Sequence, residues 1–205
     1  MSDPRHFVIT ISRQLGSGGA WLGAALARQL HAAYADRDIL ERAAESLHVS
    51  PAEVEPMDEK APSFFESLLE TFSFGTPELG YVPPLPSPSH QELRAAEAQV
   101  IREIAARRTA VILGRGGFHV LADHPRHLPV YLHASADFRA ARVERAYGVS
   151  PQRAQELLRE SDASRSRGLL ELTGRPWSDA TQYALCLDTG ALGLELATQL
   201  VLDVV

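Results

Sequence analysis

The stretch Phe7–Leu30, FVITISRQLGSGGAWLGAALARQL, constrains the fold more than any other part of the chain. Phe7-Val8-Ile9-Thr10-Ile11 is a short apolar run rich in β-branched residues, the pattern of a strand buried on both faces. Gly16-Ser17-Gly18-Gly19 is too rich in glycine for helix or strand and makes a turn. Leu22, Leu26 and Leu30 then recur every four residues with alanines between them, the pattern of a buried helix. Strand, glycine turn and helix in this order gather free backbone N–H groups and the positive end of a helix dipole around one point, which is how a chain holds an anion. The same order also serves as a tight connection with no ligand, and glycines alone do not separate the two readings.

Spacing narrows the choice. The nucleotide-binding loop is G-x-x-x-x-G-K-[ST]. Laying Gly16-Ser17-Gly18 on its core puts Arg13 at the first glycine, Gly19 at the lysine and Ala20 at the hydroxyl. The backbone cradle is kept, while both side-chain contacts to phosphate and Mg²⁺ are missing. Lys60 is the only lysine in the chain, so Arg13 is the nearest cation to the loop. Two readings of Arg13 stay open: it folds back over a bound anion, or it pairs with an acidic residue such as Asp188 at the edge of a sheet.

The wording ITISRQLGSGG resembles the start of the cytidylate kinase-like family, a branch of the P-loop nucleoside monophosphate kinases that writes I-S-R-x-x-G-S-G-G where authentic cytidylate kinases carry G-S-G-K-[ST]. The resemblance runs through the whole chain and implies a single domain over residues 1–205. In that domain residues 36–90 form a helical and proline-rich acceptor-binding insert, and residues 159–177 a lid. The fold it implies is α/β, P-loop NTPase-like and three-layered, a five-stranded parallel sheet with helices on both faces.

Within the insert, Asp36-Arg37-Asp38 precede the amphipathic run Ile39, Leu40, Ala43, Ala44, Leu47, and Ser50-Pro51-Ala52-Glu53 reads as a second helix start. Phe64, Phe65, Leu68, Leu69 and Phe72 form a third apolar face. Asp58-Glu59-Lys60-Ala61-Pro62 resembles a stretch that closes over the acceptor in the family, although Lys60 also reads as a solvated surface residue. Five prolines between Gly75 and Ser89 exclude helix and central strand there. That loop reads as a lid, a disordered connection, or an arm reaching a second subunit in a homodimer.

Beyond the insert, Leu93, Ala96, Val100, Ile101 and Ile104 mark one helix face. Ala110–Leu113 and Leu128–Ala134 read as strands, Ala136–Tyr147 as a helix with Arg139, Arg142, Glu144 and Arg145 outward, Ala184–Asp188 as the last strand and Leu192–Leu202 as the last helix. The fifth strand falls near Ala33–Ala35. Gly114-Arg115 follows a strand at the end where open α/β sheets bind ligands. Cytidylate kinases write D-G-R-D at the corresponding place, so the resemblance implies that Arg115 faces the acceptor, while Leu113 and Gly116 stand where the carboxylates would be. Asp162 and Arg165 match a D-x-x-R element that contacts the acceptor nucleotide beside the lid. Arg159, Arg165 and Arg167 suit the clamping of transferring phosphates, because a guanidinium binds their oxygens bidentately. As a charge run alone they read as a salt-bridged helix face.

Composition sets limits. A length of 205 residues with 45% hydrophobic content is enough for one sizeable core, and a net charge of −6 argues against a general binder of nucleic-acid polymer. The one cysteine, Cys186, forms no internal disulfide, and its apolar neighbours suggest a core position. His119, His124, His127 and His133 show no ligand spacing and read as surface histidines, and Trp177 as a surface-packed side chain. Neither an apolar leader in Met1–His6 nor any run of membrane-spanning length is present, so the expected location is the cytoplasm.

The expected activity is transfer of the terminal phosphoryl group of ATP to a nucleotide-sized, cytidylate-like acceptor. Gly16, Ser17, Gly18 and Gly19 would hold the donor phosphates, Arg13, Arg159, Arg165 and Arg167 neutralise them, and Arg115 and Asp162 orient the acceptor. Mg²⁺ belongs to such chemistry, but its protein ligands are not identifiable in the sequence. The alternative is a phosphate-ligand sensor that keeps the cradle without turnover.

Overall fold

A computed structural model of the chain describes residues 6–54 and 88–205. Lys60, the apolar face of residues 64–72 and almost all of the 75–89 loop lie outside the described residues. The apolar run gives β1 (Val8–Arg13), buried throughout, and the leucine repeat gives α1 (Gly19–Gln29). β2 (Ala33–Ala35), α2 (Arg37–Ser46) and α3 (Pro51–Val54) follow, then α4 (His90–Arg107). A capping box starts α4, with the Ser89 side chain taking the Glu92 N–H and the Glu92 side chain the Ser89 N–H. β3 (Ala110–Leu113), α5 (Gly117–Val120), β4 (His127–His133), α6 (Ala136–Tyr147) and α7 (Pro151–Thr173) continue the chain. β5 (Leu185–Asp188), α8 (Thr189–Leu192) and α9 (Leu194–Leu202) end it, with Gly193 breaking what the sequence suggests is one helix.

The five strands form one parallel sheet in the order β2-β3-β1-β4-β5. Period-two alternation sends Ile9, Ile11, Val111, Leu113, Val130 and Leu132 to one face, against Leu22 and Leu26 of α1 and Ala197 and Val201 of α9. Val8, Ala110 and Ile112 go to the other face, against Ile39 of α2 and Ile101 and Ile104 of α4. A sheet with helices on both faces is thus observed as the pattern predicts. Among the described residues no helix is long and apolar enough to cross a membrane.

Four local expectations are corrected. Trp177 is buried, in an aromatic cluster with Phe118, Tyr131, Leu169 and Tyr183. Cys186 is exposed, because β5 is an edge strand among the described residues and its alternate residues face solvent. His127 belongs to β4 rather than to the preceding connection, and its Nε2 lies 2.7 Å from Thr10 Oγ1. Arg139 is turned into the protein, not outward, with 6% of its surface exposed.

Candidate functional site

Chain direction after β1 leads to β2 and β3 on one side, while β4 and β5 lie on the other, so ligands are expected at the carboxyl end of β1. The glycine loop sits there. Gly16 (φ +82°) and Gly18 (φ +86°) both occupy the left-handed region. A Cβ on Gly16 would lie 2.7 Å from the Arg139 carbonyl oxygen, so the loop backbone packs directly on α6.

The loop is held by its carbonyls. Ser17 is fully buried and donates from its N–H (3.2 Å) and from Oγ (2.8 Å) to the Gln14 carbonyl. Arg139 Nη1 donates to the Leu15 carbonyl (3.2 Å), and Thr189 Oγ1 to the Ser17 carbonyl (2.8 Å). The Gly18 carbonyl takes the Leu22 N–H (3.0 Å). Gln14 anchors the loop's root, donating its N–H to the Leu132 carbonyl (3.0 Å) and accepting from the Ala134 N–H (3.2 Å). Gly18 offers α1 no capping side chain, so the first-turn N–H groups stay directed at the space in front of the loop.

Arg13 is 8% exposed. Its stem crosses the start of α1, where a Cβ on Gly19 would meet Arg13 Cγ at 2.7 Å. Its guanidinium rests on the end of β3, where a Cβ on Gly114 would lie 2.1 Å from Nη1. Arg13 therefore leans toward the β3 side of β1. Asp188 belongs to β5, two strands away on the opposite side, and its Oδ1 caps α8 through the Gly190 (2.9 Å) and Ala191 (3.1 Å) N–H groups. Tyr34 feels the same guanidinium: burial raises its pKa, and Arg13 opposes the rise.

Gly114, Arg115 and Gly116 have φ of +79°, +55° and +62°, three left-handed residues in succession. For a non-glycine residue this conformation costs about 1–2 kcal/mol. The turn aims Arg115 inward, where its guanidinium pairs with Glu97 of α4 and its Nε donates to the Asp36 carbonyl (3.1 Å). Both charged groups are buried, so either one without the other would leave an uncompensated charge.

Across the loop, α7 carries the D-x-x-R element on one continuous helix of 23 residues. Asp162 Oδ2 pairs with Arg139 Nη1 at 2.9 Å, and Asp162 Oδ1 is buried without a hydrogen-bond partner. Arg165 is buried and donates to Ser161 Oγ (2.5 Å) one turn back. Arg159 and Arg167 are exposed on the outer side of α7. The helix reaches α4 at its far end, where Arg94 Nη1 donates to the Gly168 carbonyl (3.0 Å).

Tyr131 lies beneath Asp162, Arg139 and Arg165. Burial, then the Asp162 charge, pushes its pKa up to about 12. Tyr183 is likewise pushed up to about 12, chiefly by burial, and donates to the Trp177 carbonyl (2.7 Å). Tyr131 stacks on Tyr183 at 5.1 Å and meets the Trp177 edge at 5.6 Å. Both phenols stay protonated throughout the neutral range.

The structure therefore brings Arg13, Gly16, Ser17, Gly18 and Gly19 together, ties Asp162 to the loop through Arg139, keeps Arg165 buried one turn further along α7 near Tyr131, sets Arg115 behind the Gly114 turn, and leaves Arg159 and Arg167 exposed. Sequence reasoning missed Arg139, which ties the Leu15 carbonyl to Asp162. Its signal was helical spacing: Val143, four residues on, is buried, so Arg139 shares the inward stripe of α6. Thr189 and Tyr131 carried no such signal, since their contacts span 172 residues to Ser17 and a strand register to Ser12.

A divalent cation in such loops is held by the hydroxyl after the lysine and a carboxylate at a strand end. Here Ala20 and Leu113-Gly114 occupy those places, Asp162 is engaged by Arg139, and Asp188 caps α8. Among the described residues no group of three or more His, Cys, Asp or Glu side chains converges on one point. These residues do not fit a protein-held Mg²⁺.

Glycine loop, parallel sheet and flanking helices define a P-loop kinase-like α/β protein. The chain belongs to the cytidylate kinase-like family, whose sequence model matches residues 8–191. No curated protein matches the sequence. Among solved structures, an uncharacterized protein from Eubacterium ventriosum is similar with a TM-score of 0.69 at 19% identity, over 97% of this chain and 98% of that one. A shikimate kinase from Bacteroides thetaiotaomicron follows at 0.52 and 16%, over 97% of each chain. TT1252 from Thermus thermophilus gives 0.50 and 20%, over 98% of each. At such identities these likenesses establish the fold, and family membership supports a phosphotransferase in general terms.

Proposed function

We propose that the chain is a nucleoside monophosphate kinase-like phosphotransferase, moving the terminal phosphoryl group of ATP to a nucleotide-sized, cytidylate-like acceptor. The observation that carries this reading is the loop's polarity. The carbonyls of Gln14, Leu15, Ser17 and Gly18 are all engaged on the protein side, while the first-turn N–H groups of α1 have no capping side chain. A loop wired in that sense offers donors to an anion. In this reading Gly16–Gly19 hold the donor phosphates, and Arg13 and Arg165 supply charge at close quarters. Arg159 and Arg167 add positive field from the exposed side of α7.

The acceptor lies under α7. Asp162 Oδ1, buried and lacking a donor, suits a hydroxyl of that acceptor, and Arg115 holds the Gly114–Gly116 turn that forms the floor. Chemistry of this kind is mostly positioning and charge neutralisation, so a rigid cationic frame is what the protein must supply. The ring faces of Tyr131 and Trp177 exclude water on the sheet side.

The second reading is a phosphate-ligand sensor without turnover, favoured by Gly19 and Ala20 at the lysine and hydroxyl positions. One experiment separates them: isothermal titration of the full chain with ATP and with cytidine monophosphate, followed by assay of nucleoside diphosphate formation. Binding with product supports the kinase, binding without product the sensor, and the absence of binding removes both. A homodimer through the 75–89 loop remains part of the proposal, tested by sedimentation of the chain with that loop shortened.

A further inference from the structure

We propose that this site handles phosphate without a protein-held divalent cation, the Arg13 guanidinium standing at the end of β3 in the cation's stead. The inference rests on the phosphate-binding reading of the loop. Two departures in the sequence, the arginine at 13 and the missing lysine at 19, have a single geometric cause. The Arg13 stem fills the space that a side chain at 19 would need, with Cγ 2.7 Å from the place of its Cβ. The guanidinium fills the space that a side chain at 114 would need, with Nη1 2.1 Å from the place of its Cβ. Gly114 keeps the glycine of D-G-R-D, so the guanidinium lies beside Leu113, where the first carboxylate would stand.

The position matters as much as the charge. β3 is hydrogen-bonded to β1 along Val8–Ile11, so the end of β3 stands beside the root of the loop. A metal in such a loop would be shared by the hydroxyl at 20 and a carboxylate on this strand end. Ala20 and Leu113 offer neither, and a fixed cation lies against that strand end, over Gly114. A guanidinium there donates several N–H groups in a plane, matching phosphate oxygens bidentately, and never loses its charge near neutral pH. Burial of Arg13 at 8% exposure lowers the local dielectric, so its field on an adjacent phosphate is screened less than that of a surface arginine.

The test is titration calorimetry of the full chain with ATP, in EDTA and again in excess Mg²⁺, with Arg13→Gln measured alongside. Gln keeps a stem over Gly19 while removing the charge, and thermal melting of each protein reports folding. The expected result is wild-type affinity in EDTA within threefold of that in Mg²⁺, or tighter, and at least a tenfold loss in Arg13→Gln in EDTA. Binding that requires Mg²⁺, or an Arg13→Gln protein with wild-type affinity in EDTA, overturns the inference and leaves the phosphate site standing. The absence of ATP binding in both buffers overturns the phosphate reading and this inference together.

Discussion

Arg13 and Gly19 should be energetically coupled, and a double-mutant cycle measures the coupling without any ligand. In Gly19→Ala the new Cβ would meet Arg13 Cγ at 2.7 Å, Cβ at 3.1 Å and Cδ at 3.4 Å. The closest of these is the middle of a buried stem, not a flexible tip, so the arginine must leave its seat. Overpacking of this kind costs about 1–3 kcal/mol, against a gain of up to about 1 kcal/mol from replacing glycine in a helix. In an Arg13→Ala background Cγ and Cδ are gone, only the contact at 3.1 Å remains, and the same change at 19 becomes neutral or stabilising. The coupling energy is therefore about 1–3 kcal/mol, with the two changes together less damaging than their sum. Urea unfolding of the four proteins reads it directly. Gly148→Ala serves as control, since nothing stands within 4 Å of its Cβ and only its φ of +64° resists; it should cost about 1–2 kcal/mol with no dependence on Arg13. A coupling below about 0.5 kcal/mol, the ordinary error of additivity, would refute the seating of Arg13 across Gly19.

Arg139→Ala removes the tie between the Leu15 carbonyl and Asp162, leaving that carboxylate without its cation. The expected loss is about 3 kcal/mol in urea unfolding, with weaker ATP binding by calorimetry. Arg165→Ala should lower turnover far more than melting temperature, whereas Arg159→Ala, on the exposed side of α7, should change both little; equal turnover in wild type and Arg165→Ala would sink the lid assignment. Burial, with His124 nearby, lowers the His127 pKa from 6.5 to about 4. The unfolded chain then binds the proton more readily, so this contribution is intact above pH 6.5 and lost as pH falls toward 4, about 2 kcal/mol by pH 5. His127→Gln should flatten that segment of the stability–pH curve, and an unchanged slope would place the titration elsewhere.

Elements that bury two faces were legible because their composition repeats their environment: Val8–Ile11, apolar but for Thr10, and Ala110–Leu113, apolar throughout, lie in the middle of the sheet. Elements at the edge were read less well. Cys186 sits in an apolar run, yet it lies on a strand with one free side, and local composition does not report which strand is outermost. Trp177 follows a Gly-Arg-Pro turn that reads as surface, and only the approach of Tyr131 and Phe118, from residues far earlier in the chain, buries it. Proline at 129 marks a strand start, but His127 is drawn into β4 by Thr10, a partner 117 residues away. The glycine loop was legible as a cradle, and the sense in which its carbonyls are tied was not, because Arg139 and Thr189 reach it from other elements.

Arg13 shows the same limit from the other direction. By pattern alone it occupies the first-glycine position of a nucleotide loop, Gly19 looks like an unrelated loss, and Gly114 keeps the glycine of D-G-R-D. Packed together, the three positions depend on one another: the arginine's stem needs a glycine at 19, and its guanidinium needs a glycine at 114. Restoring a lysine at 19 alone would displace Arg13 from its buried seat and push its charge toward solvent, so the change that makes the loop look conventional should weaken nucleotide binding. The same lysine introduced together with Arg13→Gly meets no stem and gains the reach to the anion. Affinity for ATP should fall about tenfold or more in Gly19→Lys, the worth of one lost hydrogen bond to a charged group, and recover in the double variant. A single Gly19→Lys protein that binds ATP as well as or better than wild type would show that Arg13 and Gly19 do not compete for the same space.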